Sequence, residues 1–113
     1  PLEIIPKLSK FFDYQSEYTA GGADEIIPRL PEYKINFLKE IGKATHRAIG
    51  ASGMSRTDMI LSPDDRFYVL EINTIPGMTK NSSLTKAAEL SGLTFSEVLD
   101  KIVARALSRH GLI

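Results

Sequence analysis

The stretch Arg56–Asn73, RTDMILSPDDRFYVLEIN, limits the fold more than any other part of the chain, because two runs of large apolar residues flank a Ser-Pro-Asp-Asp segment. Such runs favour strands; Pro63 suits the second position of a type I turn, and Asp64 and Asp65 tolerate the bends that follow. The economical reading is a β-hairpin with a loop from Pro63 to Arg66, closed by Ser62 and Phe67. In that register Asp58 lies across from Glu71 and Arg56 across from Asn73. Thr57, Met59, Leu61, Tyr68, Leu70 and Ile72 take the other, apolar face.

Opposed side chains have Cβ atoms roughly 4.5–5.5 Å apart, and like charges there repel unless a counter-charge joins them. A divalent cation supplies one. Oxygen donors from Asp58, Glu71 and Asn73, with no Cys or His among them, suit a hard ion such as Mg²⁺ or Mn²⁺ over Zn²⁺. Mg²⁺ usually takes one or two protein carboxylates and leaves its other positions to water and substrate phosphates, so the pattern implies a nucleotide-phosphate site. The plainer alternatives are two acids at solvated strand ends and, for Arg56 with Asp58, a surface ion pair worth about 0–1 kcal/mol.

With 113 residues, 42% of them hydrophobic and 25% charged, the chain has the make-up of one globular domain. Fourteen basic against fourteen acidic residues leave no net charge, which argues against a general nucleic-acid binder. The lack of Cys excludes disulfides and thiolate metal sites. No apolar run approaches 18 residues and no signal peptide is apparent, so no membrane partner and a cytoplasmic location are expected. The chain opens on Pro1 and enters LEIIP directly, which suggests a piece of something longer.

Leu2–Ile5 and Glu25–Ile27 read as short strands halted by Pro6 and Pro28. The aromatics Phe11, Phe12, Tyr14 and Tyr18 follow no period and suggest a folded-over loop, and Thr19–Glu25 a surface loop. Ile35, Leu38, Ile41, Thr45, Ala48 and Ile49 recur at steps of three and four, predicting a helix over Glu32–Ile49 that ends at a left-handed Gly50. Ser82 or Ser83 caps a short helix reaching Leu90, with Gly92 at its end. In the last helix Thr94 and Glu97 form a capping box, Leu93 and Val98 a hydrophobic staple, and Phe95, Val98, Leu99, Ile102, Ala106 and Leu107 the core stripe. His46 and His110 read as surface residues. The fold class is α+β, an antiparallel sheet covered on one face by helices, with Arg56, Asp58, Glu71 and Asn73 on the open face.

SGMSRTDMIL, FYVLEINTIPGMT and KNSS followed by LTKAAELSGLTFSEVL together resemble the C-terminal portion of D-alanine–D-alanine ligases, enzymes of the ATP-grasp fold. The resemblance runs through nearly the whole chain, residues 1–113 reading as a C-terminal fragment of the catalytic domain. It implies ATP-dependent joining of two D-alanines through an acyl phosphate, for peptidoglycan. Asp58, Glu71 and Asn73 would hold two Mg²⁺ or Mn²⁺ ions against the ATP phosphates. Arg56 would bind the transferred phosphoryl group, Gly77 would offer its N–H to the oxyanion, Ser82 with neighbouring Ser83 would bind the second D-alanine, and Tyr18 would help close the site. A homodimer is implied for the full-length protein.

The sequence departs from that pattern in three ways. Glu17 precedes Tyr18 where the family usually has lysine. Ser83 and Thr85 stand where a leucine and a proline are common. The glycine-rich loop, the adenine-binding hinge and the N-terminal domain are not in this sequence, so the fragment alone should not turn over. Other readings are another ATP-grasp carboxylate–amine ligase, a D-alanine–D-lactate ligase, against which Tyr18 argues, and a non-catalytic metal- or protein-binding module, for which Glu17 argues.

Overall fold

The computed structural model describes residues 1–6 and 23–113. Along them run β1 (Glu3–Pro6), β2 (Ala23–Ile26), α1 (Glu32–Ala48), β3 (Arg56–Leu61), β4 (Phe67–Asn73), α2 (Ser83–Leu90) and α3 (Phe95–Arg109). The α+β class and antiparallel pairing follow the sequence. Among the described residues the strands form two separate ladders, β1 with β2 and β3 with β4, where the sequence suggested one sheet. The ends of β1 and β2 move by a residue or two, β1 taking in Pro6 and β2 starting at Ala23.

The second hairpin has a tighter loop than expected. Ser62 N–H donates to the Arg66 carbonyl at 2.9 Å and Asp65 N–H to the Ser62 carbonyl at 2.9 Å, so the turn is Pro63, Asp64 and Asp65. Asp65 sits at φ 66°, the left-handed position that a three-residue hairpin turn requires and that Asp tolerates better than most side chains. A regular ladder from this loop would place Glu71 across from Thr57, on the wrong face. The pairing instead runs Leu61 with Phe67, Ile60 with Tyr68 and Met59 with Val69, then shifts by one so that Asp58 meets Glu71, Thr57 meets Ile72 and Arg56 meets Asn73. Leu70 is the extra residue, a β-bulge, and is 60% exposed.

The bulge corrects the apolar face. Phe67 and Val69 occupy the places expected for Tyr68 and Leu70, while Tyr68 pairs with Ile60 on the side of Asp58. Helix α1 covers the Phe67 side, with the Phe37 and Phe67 rings 6.1 Å apart at 55° and Lys34 paired to Asp65 at the turn. A lone two-stranded hairpin is marginal in water, so this helix is what fixes it. Gly50 ends α1 at φ 66°, its N–H on the Arg47 carbonyl at 3.0 Å and that of Ala51 on His46 at 3.0 Å. His46, expected at the surface, is half-buried with Nδ1 2.7 Å from Ser55 Oγ; His110 is exposed beyond α3.

Helices α2 and α3 meet through Ala88 and Val98, each 8% exposed. Phe95, Ile102 and Leu107 are half-buried beside them, whereas Leu99 and Ala106, assigned to the stripe, are exposed. Leu93 and Val98 line one apolar cleft with Met54 and Leu84. Lys86 of α2 reaches Glu25 of β2 at 3.3 Å, tying the first ladder to the helices.

The capping box is complete: Glu97 N–H donates to Thr94 Oγ1 at 3.2 Å and Thr94 N–H to Glu97 Oε2 at 2.7 Å. Thr94→Ala is expected to cost about 1 kcal/mol in urea unfolding of this chain. The backbone hydrogen bond from Thr94, then its hydroxyl, hold the Glu97 carboxyl below its ordinary 4.5. A depressed carboxylate pKa contributes stability that is fully present above the unfolded value and lost as pH falls through the folded one. Urea midpoints measured downward from pH 6 should therefore drop more steeply for the wild-type chain than for Glu97→Gln, which keeps the box but not the charge.

Candidate active site

The site face is built where the bulge ends. Arg56 and Asp58 alternate on β3 and thus share a side, and the restored register brings Glu71 and Asn73 opposite them. Arg56 grips Asp58 with two parallel bonds, Nε to Oδ1 at 2.8 Å and a terminal nitrogen to Oδ2 at 3.0 Å. The same terminal nitrogen stands 4.0 Å from Glu71 Oε1. Guanidinium charge thus offsets the repulsion that the pairing of two acids creates. The two carboxylates differ in access: the Asp58 side chain is 32% exposed and that of Glu71 66%.

Asn73 ends the strand. Its Oδ1 accepts the Ile75 N–H at 3.0 Å, an Asx turn that directs the chain into Pro76 and Gly77. Pro76 is fully buried and anchors this connection. Gly77 lies against Ser82, so close that a Cβ added there would come within 3.0 Å of Ser82 Oγ. Ser82 stands at the N-cap of α2, but its hydroxyl does not cap the helix. It accepts the Thr79 N–H at 2.9 Å and meets Thr79 Oγ1 at 2.9 Å. Ser83 is the first residue of α2 and half-buried.

Among the residues named from sequence, the structure joins Arg56, Asp58, Glu71 and Asn73 in one cluster, and Gly77 with Ser82 in a second at the far end of the Asn73–Ser82 connection. Tyr18 and Glu17 lie outside the described residues. In the second cluster Thr79 escaped the sequence reading, and Thr85 entered it only as a departure from the family pattern. Thr85 is 2% exposed, and its hydroxyl donates to the Thr79 carbonyl at 2.6 Å. Its replacement of an expected proline was the available signal.

The donors suit a hard cation. Among the described residues no three His, Cys, Asp or Glu side chains gather into a metal cage. The cluster offers two carboxylates and a carboxamide, close to the small protein share that Mg²⁺ accepts when phosphates and water complete its shell. Glu71 projects toward solvent, where a phosphate-bound ion would approach.

The family model for the D-ala D-ala ligase C-terminus matches residues 1–104. The D-alanine–D-alanine ligase of Pelotomaculum thermopropionicum is 37% identical over 113 residues, covering 99% of this chain and 36% of that protein. The one from Syntrophobacter fumaroxidans is 44% identical over 108 residues, 94% of this chain and 34% of that protein. The chain thus spans about a third of the length of these relatives. Among solved structures, D-alanine–D-alanine ligase from Bacillus anthracis superposes with a TM-score of 0.77 at 33% identity, covering 95% of this chain and 35% of that one. The same enzyme complexed with ATP gives 0.70 at 34% identity over 75% of this chain and 30% of that one. By sequence and by fold, the chain belongs to the D-alanine–D-alanine ligase C-terminal family.

Proposed function

We propose that residues 1–113 are the C-terminal part of the catalytic domain of a D-alanine–D-alanine ligase, supplying its metal ligands and part of its acceptor site. The observation that carries this reading is the pairing of Asp58 with Glu71 beside Arg56 and Asn73 in a chain of this family. In the reaction a carboxylate oxygen of the first D-alanine attacks the γ-phosphorus of ATP, and the bond from that phosphorus to the bridging oxygen breaks to release ADP. The amine of the second D-alanine then attacks the acyl carbon, loses a proton, and expels phosphate. Asp58, Glu71 and Asn73 would hold the Mg²⁺ or Mn²⁺ ions, which would supply positive charge to offset that of the ATP phosphates.

Arg56 offers a planar fork of donors to the phosphoryl group in transit, and it begins from a pair with Asp58 that poises it on the same face. The Gly77 N–H would serve the oxyanion of the tetrahedral intermediate, a role supported by the connection that Pro76 and the Asn73 turn hold in place. The Ser82 hydroxyl binds the acceptor carboxylate, with Ser83 beside it at the start of α2, where unpaired N–H groups favour an anion. By the family motif, Tyr18 would help orient the acceptor; it lies outside the described residues. Use of ATP supports a cytoplasmic location. Among the described residues no helix is long and apolar enough to cross a membrane. The family resemblance supports a homodimer for the full-length protein.

In the full-length protein, Asp58→Ala and Glu71→Ala should each lower ATP-dependent condensation of D-alanine by about a hundredfold or more, the equivalent of several kcal/mol of phosphoryl charge stabilisation. Full activity in both variants overturns the proposal. Gly77→Ala should cost about 10- to 100-fold in kcat/KM for the acceptor, because the added Cβ meets Ser82 Oγ at 3.0 Å and one of the two must move. Initial rates with D-alanine varied at saturating ATP check this.

A further inference from the structure

The Ser82 hydroxyl has room for two incoming donors and one outgoing proton. One donor is fixed, the Thr79 backbone N–H at 2.9 Å. The other contact, Thr79 Oγ1 at 2.9 Å, could run either way. When Thr79 donates, both lone pairs of Ser82 are taken and its proton has to point elsewhere. Gly77 closes off another direction, since its backbone sits where a Cβ would be 3.0 Å from Ser82 Oγ. In this direction the Ser82 proton is left for an external acceptor such as a carboxylate; in the opposite one it is spent on Thr79 Oγ1.

Thr79 itself is exposed, in a short connection, and a side chain there needs external restraint to hold a fixed hydroxyl geometry. That restraint comes from beneath. The Thr79 carbonyl accepts both the Ser82 N–H at 3.1 Å and the Thr85 hydroxyl at 2.6 Å. Thr85 is 2% exposed, so its hydroxyl bond is shielded from water and has no solvent substitute. The order of restraint is therefore Thr85 to the Thr79 backbone, Thr79 to the Ser82 hydroxyl, and the Ser82 proton to the ligand.

We infer that Thr79 and Thr85 are positioning residues that present the Ser82 hydroxyl as a hydrogen-bond donor to the carboxylate of the acceptor amino acid. The inference rests on the proposed role of Ser82 in acceptor binding. In this reading both threonines act through Ser82 and not on the substrate itself.

Steady-state kinetics of the full-length protein, with D-alanine varied at saturating ATP and ATP varied at saturating D-alanine, test it. Thr79→Val should raise the acceptor KM roughly three- to tenfold, the range of one net hydrogen bond, with the KM for ATP unchanged. Thr79→Ser should restore the wild-type value. Thr85→Val, which keeps the buried shape and loses the hydroxyl, should raise the same KM, and Thr85→Ser should restore it. Adding Thr79→Val to Ser82→Ala should raise the acceptor KM no further, because residues acting through one group are not additive.

An equal rise in the KM values for acceptor and ATP, failure of the serine variants to rescue, or a further rise in the double variant overturns the inference while leaving the role of Ser82 intact. If Ser82→Ala leaves the acceptor KM unchanged, the acceptor reading falls and the inference with it. Thr79 is exposed, so its variants carry the test even if Thr85→Val does not fold.

Discussion

Two carboxylates forced into opposition across a hairpin are the constraint from which the site follows. Asp58 and Glu71 meet only because of a compensation along the ladder: the Asp65 turn takes one residue fewer than a four-residue loop, and Leu70 returns it as a bulge. Side chains alternate with a period of two, so an uncompensated slip of one would turn Glu71 toward α1 and Leu70 toward Asp58. The bulge thus belongs to the site as much as the acids do. Leu70 at 60% is also the most exposed apolar residue of β4, beside Tyr68 at 48% and Val69 at 45%, as fits a residue left out of the ladder. Arg56 completes the arrangement. Its fork satisfies both oxygens of Asp58 while remaining 4.0 Å from Glu71, so the charge that holds the acids together is also the charge proposed to meet a phosphoryl group.

The parts of the fold readable from sequence were those governed by local chemistry. Thr94 with Glu97, Gly50 after α1 and the bounds of α1 and α2 depend on a few neighbouring residues, and each lies within a residue of its expected place. The Asp58–Glu71 pairing was also foreseen, though through a loop that was one residue too long and a ladder with no bulge; two errors of opposite sign cancelled at the site end and left Tyr68 and Leu70 on the wrong face between them. No local pattern distinguishes a four-residue loop with a regular ladder from a three-residue loop with a bulge. That choice is made by packing, where Phe67 rather than Tyr68 reaches Phe37. The exposure of Leu99 and Ala106 is likewise a tertiary outcome, because periodicity gives a stripe's direction and its partner decides its width.

Buried hydroxyls were the least legible. In sequence, Thr85 stands out only by replacing an expected proline, a change that looks like a loss. Proline early in a helix stiffens the chain by fixing φ. Threonine lacks that ring, yet in this structure it draws on a different source of rigidity, a shielded bond to the carbonyl three residues before the helix cap. The two solutions immobilise the same turn by different physics, one through the covalent ring and one through a tertiary contact. Only coordinates reveal the second.

The first turn of α2 also carries a cost. Lys86, next to Thr85, reaches Glu25 at 3.3 Å through Oε1, while Glu25 Oε2 is buried with no hydrogen-bond partner among the described residues. A carboxylate oxygen left in that condition costs about 1–3 kcal/mol or more, which the ion pair at its other oxygen only partly offsets. Thr85 turned inward secures the Thr79 carbonyl, and that rotation of the helix sends Lys86 toward β2, where Glu25 meets it. Thr85 and Lys86 thus fix the first turn of α2 from two sides, one through the Thr79 carbonyl and one through Glu25 of β2.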